Sequence, residues 1–224
     1  MRPHVIIHCQ VSADGRIDWF PIDPGLYYEI TSQWNEDVTL AGTNTLLTAV
    51  DQFGDATVEQ DNSITNDNSP LLVVPDSRGR FKHWEILLST PYWRGGLALC
   101  TKITPQSHLE YLKEIGVESI LVGDDQVDLP AALSRLADIY GVKIVRVDSG
   151  GILNGALLRN GLVDEVSVLI SPYLVGGVIP KSLFQAPDLT DASGMIGLLL
   201  TSVEKLRDDV VWLRYTVKHP EETT

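Results

Sequence analysis

Short apolar runs alternate with polar segments of helical spacing along nearly the whole chain. Val5-Ile6-Ile7-His8-Cys9-Gln10-Val11 is a β-like run that stops at the turn residues Ser12-Ala13-Asp14-Gly15. Pro24 to Trp34 patterns as a helix, with Asp23 placed to cap it and Pro24 at its first position. Further strand-like runs are Val38-Thr39-Leu40, Leu71–Val74, Leu97–Cys100, Ser119–Val122, Val142–Val147 and Glu165–Ile170. The spacing predicts helices over Pro105–Ile115 (capped by Thr104), Leu129–Tyr140 and Leu153–Asn160, each closed by the next glycine. Leu198–Leu206 and Val210–Val217 pattern as an antiparallel hairpin around Asp208-Asp209. Residues 51–69 carry few apolar anchors and predict a long exposed loop.

Strands separated by helices of this length predict an α/β fold with a mostly parallel sheet flanked by helices. The terminal hairpin adds antiparallel strands and makes the sheet mixed. No repeat and no linker divides the chain, so residues 1–224 are expected to form one domain.

Composition narrows the function classes. Hydrophobic residues make up 44% and charged residues 21%, enough for a sizeable core. No apolar run is long enough to span a membrane, and the N-terminal residues lack a signal-peptide pattern. The two cysteines, Cys9 and Cys100, each lie in an apolar run, which predicts buried reduced thiols and a cytoplasmic protein. No other Cys or His stands at ligand spacing from them, so no metal site is expected. A net charge of −13 repels nucleic acid and anionic membranes. A phosphate-bearing ligand would need a local device, such as helix N-terminal amides or a few placed arginines.

Ligands of open α/β sheets bind beyond the carboxyl ends of strands. Three glycine-bearing segments fall there: Asp14-Gly15-Arg16, Gly42-Thr43-Asn44-Thr45, and Asp148-Ser149-Gly150-Gly151-Ile152-Leu153-Asn154. The third, between a strand and a helix, suits a phosphate held by backbone N–H groups, although a tight turn needs the same residues. The second suits phosphate or ribose, or a plain N-cap by Thr43 or Asn44. Asp14 suits a turn cap or a carboxylate facing a substrate, and Arg78 and Arg80 suit a phosphate or open solvent. His8, inside the first strand, reads as a core-edge histidine more readily than as a catalyst.

In this order and spacing, several pieces resemble the dihydrofolate-reductase-like reductases of riboflavin biosynthesis. They are Ser12-Ala13-Asp14-Gly15-Arg16-Ile17, Gly42-Thr43-Asn44-Thr45, Asp76-Ser77-Arg78-Gly79-Arg80, Gly150-Gly151-x-Leu-Asn, and Gly161-Leu162-Val163-Asp164-Glu165 with Pro172 and Gly176-Gly177. The resemblance implies a homodimer that binds NADPH and a small-molecule substrate. It places the cofactor near Thr43, Thr45, Asp148, Gly150, Gly151, Ile152 and Leu153. It places substrate near Gln10, Ser12 and Arg78, with Asp14 as the catalytic carboxylate. The implied reaction reduces a ribosylamino-pyrimidine 5′-phosphate to its ribitylamino form, with proximity as the protein's main contribution. On the same footing, Gly151→Val is expected to block the approach of the cofactor phosphate.

Two features depart from that family's pattern. Asp148 stands where the family has Glu, and Leu46 to Asp61 hold no arginine or lysine for the substrate phosphate. A reductase of another small molecule, such as a pterin, or a nucleotide-binding relative without turnover are the rival readings.

Overall fold

The computed structural model describes residues 1–53, 69–178 and 181–219. The strands are β1 (His4–Ser12), β2 (Val38–Ala41), β3 (Leu71–Pro75), β4 (Gly95–Cys100), β5 (Glu118–Leu121), β6 (Ile144–Asp148), β7 (Glu165–Ser171), β8 (Leu198–Lys205) and β9 (Val211–Val217). Between them lie α1 (Pro24–Thr31), α2 (Thr43–Phe53), α3 (Trp84–Leu88), α4 (Gln106–Glu114), α5 (Leu129–Tyr140) and α6 (Gly151–Arg159). The nine strands are ordered β5-β4-β3-β2-β6-β1-β7-β9-β8. Parallel pairs prevail, and β9 runs antiparallel to both β7 and β8. The sheet is therefore mixed and mostly parallel, as the alternating pattern predicts. No helix among the described residues is long and apolar enough to cross a membrane.

The chain divides into two compact units, residues 1–3 with 36–145, and residues 4–35 with 146 onward. In the first, β2 to β5 carry a core of Leu72, Val74, Ala98 and Cys100, packed against Phe81, Trp84 and Leu112. Gly96 is small of necessity, because a Cβ there would lie 2.7 Å from the Trp84 ring. Helix α5 matches its predicted bounds because its signals are local. Asp128 accepts from the Ala131 N–H at 2.9 Å, Leu129, Leu133 and Leu136 form its buried face, and Gly141 ends it at φ +65°. Thr104 is not the cap of α4. Its hydroxyl donates to the Ser77 carbonyl and accepts the Thr101 N–H, so it braces the loop after β3. Helices α2 and α3 escape the pattern: α2 opens with β-branched and polar residues of low helix propensity, and α3 has only five residues. Of the predicted loop 51–69, residues 51–53 belong to α2 and 54–68 lie outside the described residues.

In the second unit, β1 pairs with β7 in a parallel register that sets His8 opposite Ser167 and Ser12 opposite Ser171. Asp23 caps α1 as its position predicts, accepting from Leu26 N–H at 3.0 Å. The helix ends at Thr31, one turn short of Trp34. Asp208 and Asp209 turn the β8–β9 hairpin at φ 57° and 56°, a region that short polar side chains tolerate. Both cysteines are buried and free, one in each unit. Burial pushes the Cys9 thiol up to about 12 and Cys100 up to about 11.

His8 is buried in an aromatic box, 4.6 Å from the Tyr27 ring and 5.0 Å from Trp34. Its Nδ1 lies 3.0 Å from the Ser167 hydroxyl, which also accepts from the Trp212 indole at 2.8 Å. Desolvation, then the nearby Arg146 charge, lower its pKa from 6.5 to about 3. Below pH 6.5 the unfolded chain takes up a proton that the native site refuses. Stability is therefore lost as pH falls through the window from 6.5 toward about 3. His8→Gln should flatten the dependence of the urea midpoint on pH across that window. An unchanged slope would assign the acid sensitivity to other groups.

Candidate active site at the carboxyl ends of the second unit

Strand β1 ends in a turn that is fully used. The Ser12 hydroxyl donates to Asp14 Oδ1 at 2.5 Å and accepts the Arg16 N–H at 2.9 Å. Asp14 also accepts from the Val175 and Gly176 N–H groups, at 3.1 and 2.6 Å. Arg16 donates to the Gly177 carbonyl at 2.6 Å, and Ala13 N–H reaches the Tyr173 carbonyl at 2.8 Å. Gly176 and Gly177 adopt φ +74° and +94°, which lets the backbone turn its amides toward the carboxylate. Thus the Asp-Gly-Arg and Gly-Gly pieces of the sequence are two halves of one clamp. The Ser12 hydroxyl and the two backbone donors hold the Asp14 carboxyl down at about 2. Asp14 stays ionised across the physiological range and is poorly suited to donate a proton.

Around this clamp lies a groove of 670 Å³, lined by Arg16, Asp18, Trp19, the 174–178 loop and Lys181. Lys181 pairs with Asp18 at 3.0 Å, and Trp19 is exposed at φ +68°, an uncommon backbone state for an aromatic residue. A smaller cavity of 190 Å³ lies beyond the ends of β1 and β7, with Gln10 and Ser171 among its lining residues.

The β6–α6 turn is built around glycine and asparagine. Gly150 is the N-cap of α6 and makes no side-chain cap, so the helix opens on the backbone amides of Gly151, Ile152 and Leu153, the groups with which a helix N-terminus meets an anion. Ile152 is exposed beside them. The Cβ direction of Gly151 is another matter. A Cβ there would lie 2.2 Å from the Ser182 carbonyl oxygen, and one on Gly155 would collide with the Gln185 backbone. Both glycines form a notch that seats the chain's own 182–185 segment. Asn154 fastens that segment, donating to the Ser149 and Leu183 carbonyls at 3.2 and 3.0 Å. Gly151→Val would therefore unseat this segment, a different consequence from blocking a phosphate. Asp148 is engaged inside the unit: buried Arg146 donates to it at 3.0 Å, and the Tyr27 hydroxyl lies within reach of it and of the His8 carbonyl.

The remaining residues singled out from the sequence belong to the first unit. Thr43 is buried and donates to the Pro75 carbonyl at 2.8 Å, and it lies inside α2 rather than capping it. Thr45 is half-buried in the first turn of α2, and Arg78 and Arg80 are exposed after β3. Sequence reasoning missed Tyr27, Arg146 and Ser171. Only Arg146 left a trace, its i, i+2 spacing from Asp148 along one strand face.

The family model of the RibD C-terminal domain matches residues 3–212. The chain belongs to this family. Among similar RibD-type relatives is the 2,5-diamino-6-ribosylamino-4(3H)-pyrimidinone 5′-phosphate reductase of Methanothermobacter thermautotrophicus. It is 29% identical, over 97% of this chain and 100% of the relative. The reductase of the same name from Aquifex aeolicus is 31% identical, over 90% of this chain and 91% of its own length. The RibD of Acinetobacter baumannii superposes with a TM-score of 0.72 at 20% identity over 97% of this chain, which spans 58% of that longer protein. A riboflavin biosynthesis reductase of Saccharomyces cerevisiae gives 0.66 at 17% identity, over 97% of this chain and 90% of its own. These structural likenesses establish the shared reductase fold.

Asp14→Ala should release the 173–178 loop, where Leu174 and Val178 are among the most exposed apolar residues of the unit. Limited proteolysis at that loop should accelerate severalfold, because cutting follows local opening. An unchanged rate would mean that Arg16 and the strand contacts hold the loop without the carboxylate.

Proposed function

We propose that this chain is an NADPH-dependent reductase of the riboflavin pathway, acting as one domain on a ribosylamino-pyrimidinone 5′-phosphate. The observation that carries the reading is the uncapped N-terminus of α6 behind Gly150, in a chain whose relatives are named as reductases of that substrate. The amides of Gly150, Gly151, Ile152 and Leu153 fit a cofactor phosphate, and Asp148 orients the turn through Arg146 and Tyr27. Thr43 and Thr45 are proposed as cofactor residues on the separate ground that they open α2. The cofactor supplies hydride when bound. The protein's residues supply position, with Gln10 and Ser12 on the substrate side, Arg78 for phosphate, and Asp14 fixing the loop that borders the groove.

Arg16 and Lys181 line that groove, supporting a phosphate ester despite the lack of arginine or lysine over Leu46 to Asp61. A homodimer is part of the proposal. Leu198, Leu199, Leu200 and Val203 on edge strand β8 are exposed, an apolar stretch suited to a second copy. The buried free thiols agree with a reducing cytoplasm.

Titration with NADPH and NADH, followed by tryptophan fluorescence, tests the cofactor. Selective NADPH binding and turnover of the pyrimidinone phosphate are expected. Binding without turnover would favour a pterin-type substrate or a non-catalytic relative, and no binding would end the reductase reading. Light scattering should give twice the 24.7 kDa chain mass, and a monomer would reject the dimer.

A further inference from the structure

Two arginines of the first unit stand apart from the rest. Every other arginine of the chain donates to a carbonyl or a carboxylate. Arg78 and Arg80 are exposed and have no hydrogen-bond or ion-pair partner among the described residues. Both leave the turn that follows β3, which the Gly79 N–H closes on the Asp76 carbonyl at 3.2 Å. The Ser77 carbonyl accepts from the Thr104 hydroxyl at 2.8 Å, and the buried Asp76 carboxylate accepts the Phe81 N–H at 2.8 Å.

Against this turn lies His108, in the first turn of α4. It is 3% exposed, and a Cβ on Gly79 would lie 2.6 Å from its ring. Gly79 sits at φ +62°, so glycine suits both the conformation and the space. Neither ring nitrogen of His108 has a hydrogen-bond partner. Its Nε2 stops 3.6 Å from Asp76 Oδ2, the oxygen that also holds the Phe81 N–H. A buried imidazole and a buried carboxylate thus stand just beyond hydrogen-bond reach, and a proton on the ring would turn that gap into a charge-assisted contact.

The charged or titrating groups around His108 are Asp76 and Lys82 from the segment after β3 and Tyr111 from its own helix, with the Cys100 thiol of β4 near Asp76. Burial lowers the pKa of His108 from 6.5, the Asp76 charge opposes that fall, and Lys82 adds to it. The ring is therefore neutral at pH 7 and leaves Asp76 without a cationic partner. An anion arriving at Arg78 is attracted by the guanidinium and repelled by Asp76. A proton on His108 cancels the repulsion.

We propose that His108 is a positioning residue for an oxyanion site on this turn: when Arg78 takes a phosphate or sulfate group, His108 takes up a proton and pairs with Asp76. The assignment rests on the reading of Arg78 as a phosphate residue of the reductase. Anion and proton then bind with positive coupling, and each strengthens the other by the same factor. A charge interaction across the width of one turn makes that factor roughly fivefold.

The experiment uses the whole protein and sulfate, whose charge is fixed between about pH 5.5 and 8, where a phosphate ester itself titrates. With ionic strength held by chloride, the imidazole signals are followed by NMR and sulfate affinity is measured at both ends of that range. Sulfate should raise the pKa of His108, and its affinity should be roughly fivefold higher at the acid end. Arg78→Gln should remove the sulfate-induced shift. Asp76→Asn keeps an acceptor for the Phe81 N–H and removes the charge. It should raise sulfate affinity at pH 8 to the acid value and abolish the pH dependence, a gain that a merely loosened turn would not give.

A His108 pKa that sulfate leaves unmoved in the wild type overturns the proposal without any variant. If the pyrimidinone phosphate is still turned over, the reductase reading stands. A shift that survives Arg78→Gln places the anion elsewhere and overturns the proposal, as does a folded Asp76→Asn protein with the wild-type pH dependence. The expected linkage in a protein that does not turn over the pyrimidinone phosphate upholds His108 and sinks the reductase reading instead.

Discussion

The parallel register of β1 on β7 is the constraint from which the second unit follows. Because His8 faces Ser167 and Ser12 faces Ser171, the polar positions of two apolar strands fall on one face and pair across it. The same register brings both strand ends to one edge. There the turn after β1 meets the loop after β7, and Asp14 and Arg16 bind that loop through its backbone. A one-residue slip would turn these polar side chains to the opposite face and separate the clamp from its partners.

Charge in this acidic chain is used close at hand. Arg16 holds a loop carbonyl, Arg146 a carboxylate two residues away on its own strand, and Arg214 a bidentate pair with Glu165. Arg207 joins Asp23, the N-cap of α1, to Glu29 in the helix's second half. Cations committed this way shape the site more than they attract ligands from a distance. Long-range attraction of a phosphate is opposed by the net charge of −13, so capture depends on local amides and short-range contacts.

Much of the fold was legible because its signals are local. The bounds of α5 are written in Asp128, a buried leucine face and Gly141, all within a dozen or so residues. The hairpin at Asp208-Asp209 is similarly self-contained. The site was legible only as pieces. Asp14 and Gly176 lie 162 residues apart, and Gln10 and Ser171 lie 161 apart, so their contacts depend on sheet order, which no periodicity encodes. The Gly151 case is a subtler failure. The sequence shows that bulk is forbidden there, but only the three-dimensional arrangement shows that the forbidding neighbour is Ser182 rather than a ligand.

The placement of the two cysteines has a practical consequence. Each unit contains one buried thiol, and burial keeps both almost wholly protonated at neutral pH. Alkylating reagents attack the thiolate, so native molecules should be nearly silent toward them and reaction should report exposure. Cys9 would then time the opening of one unit and Cys100 the other, giving the unmodified sequence two separate clocks for its own unfolding.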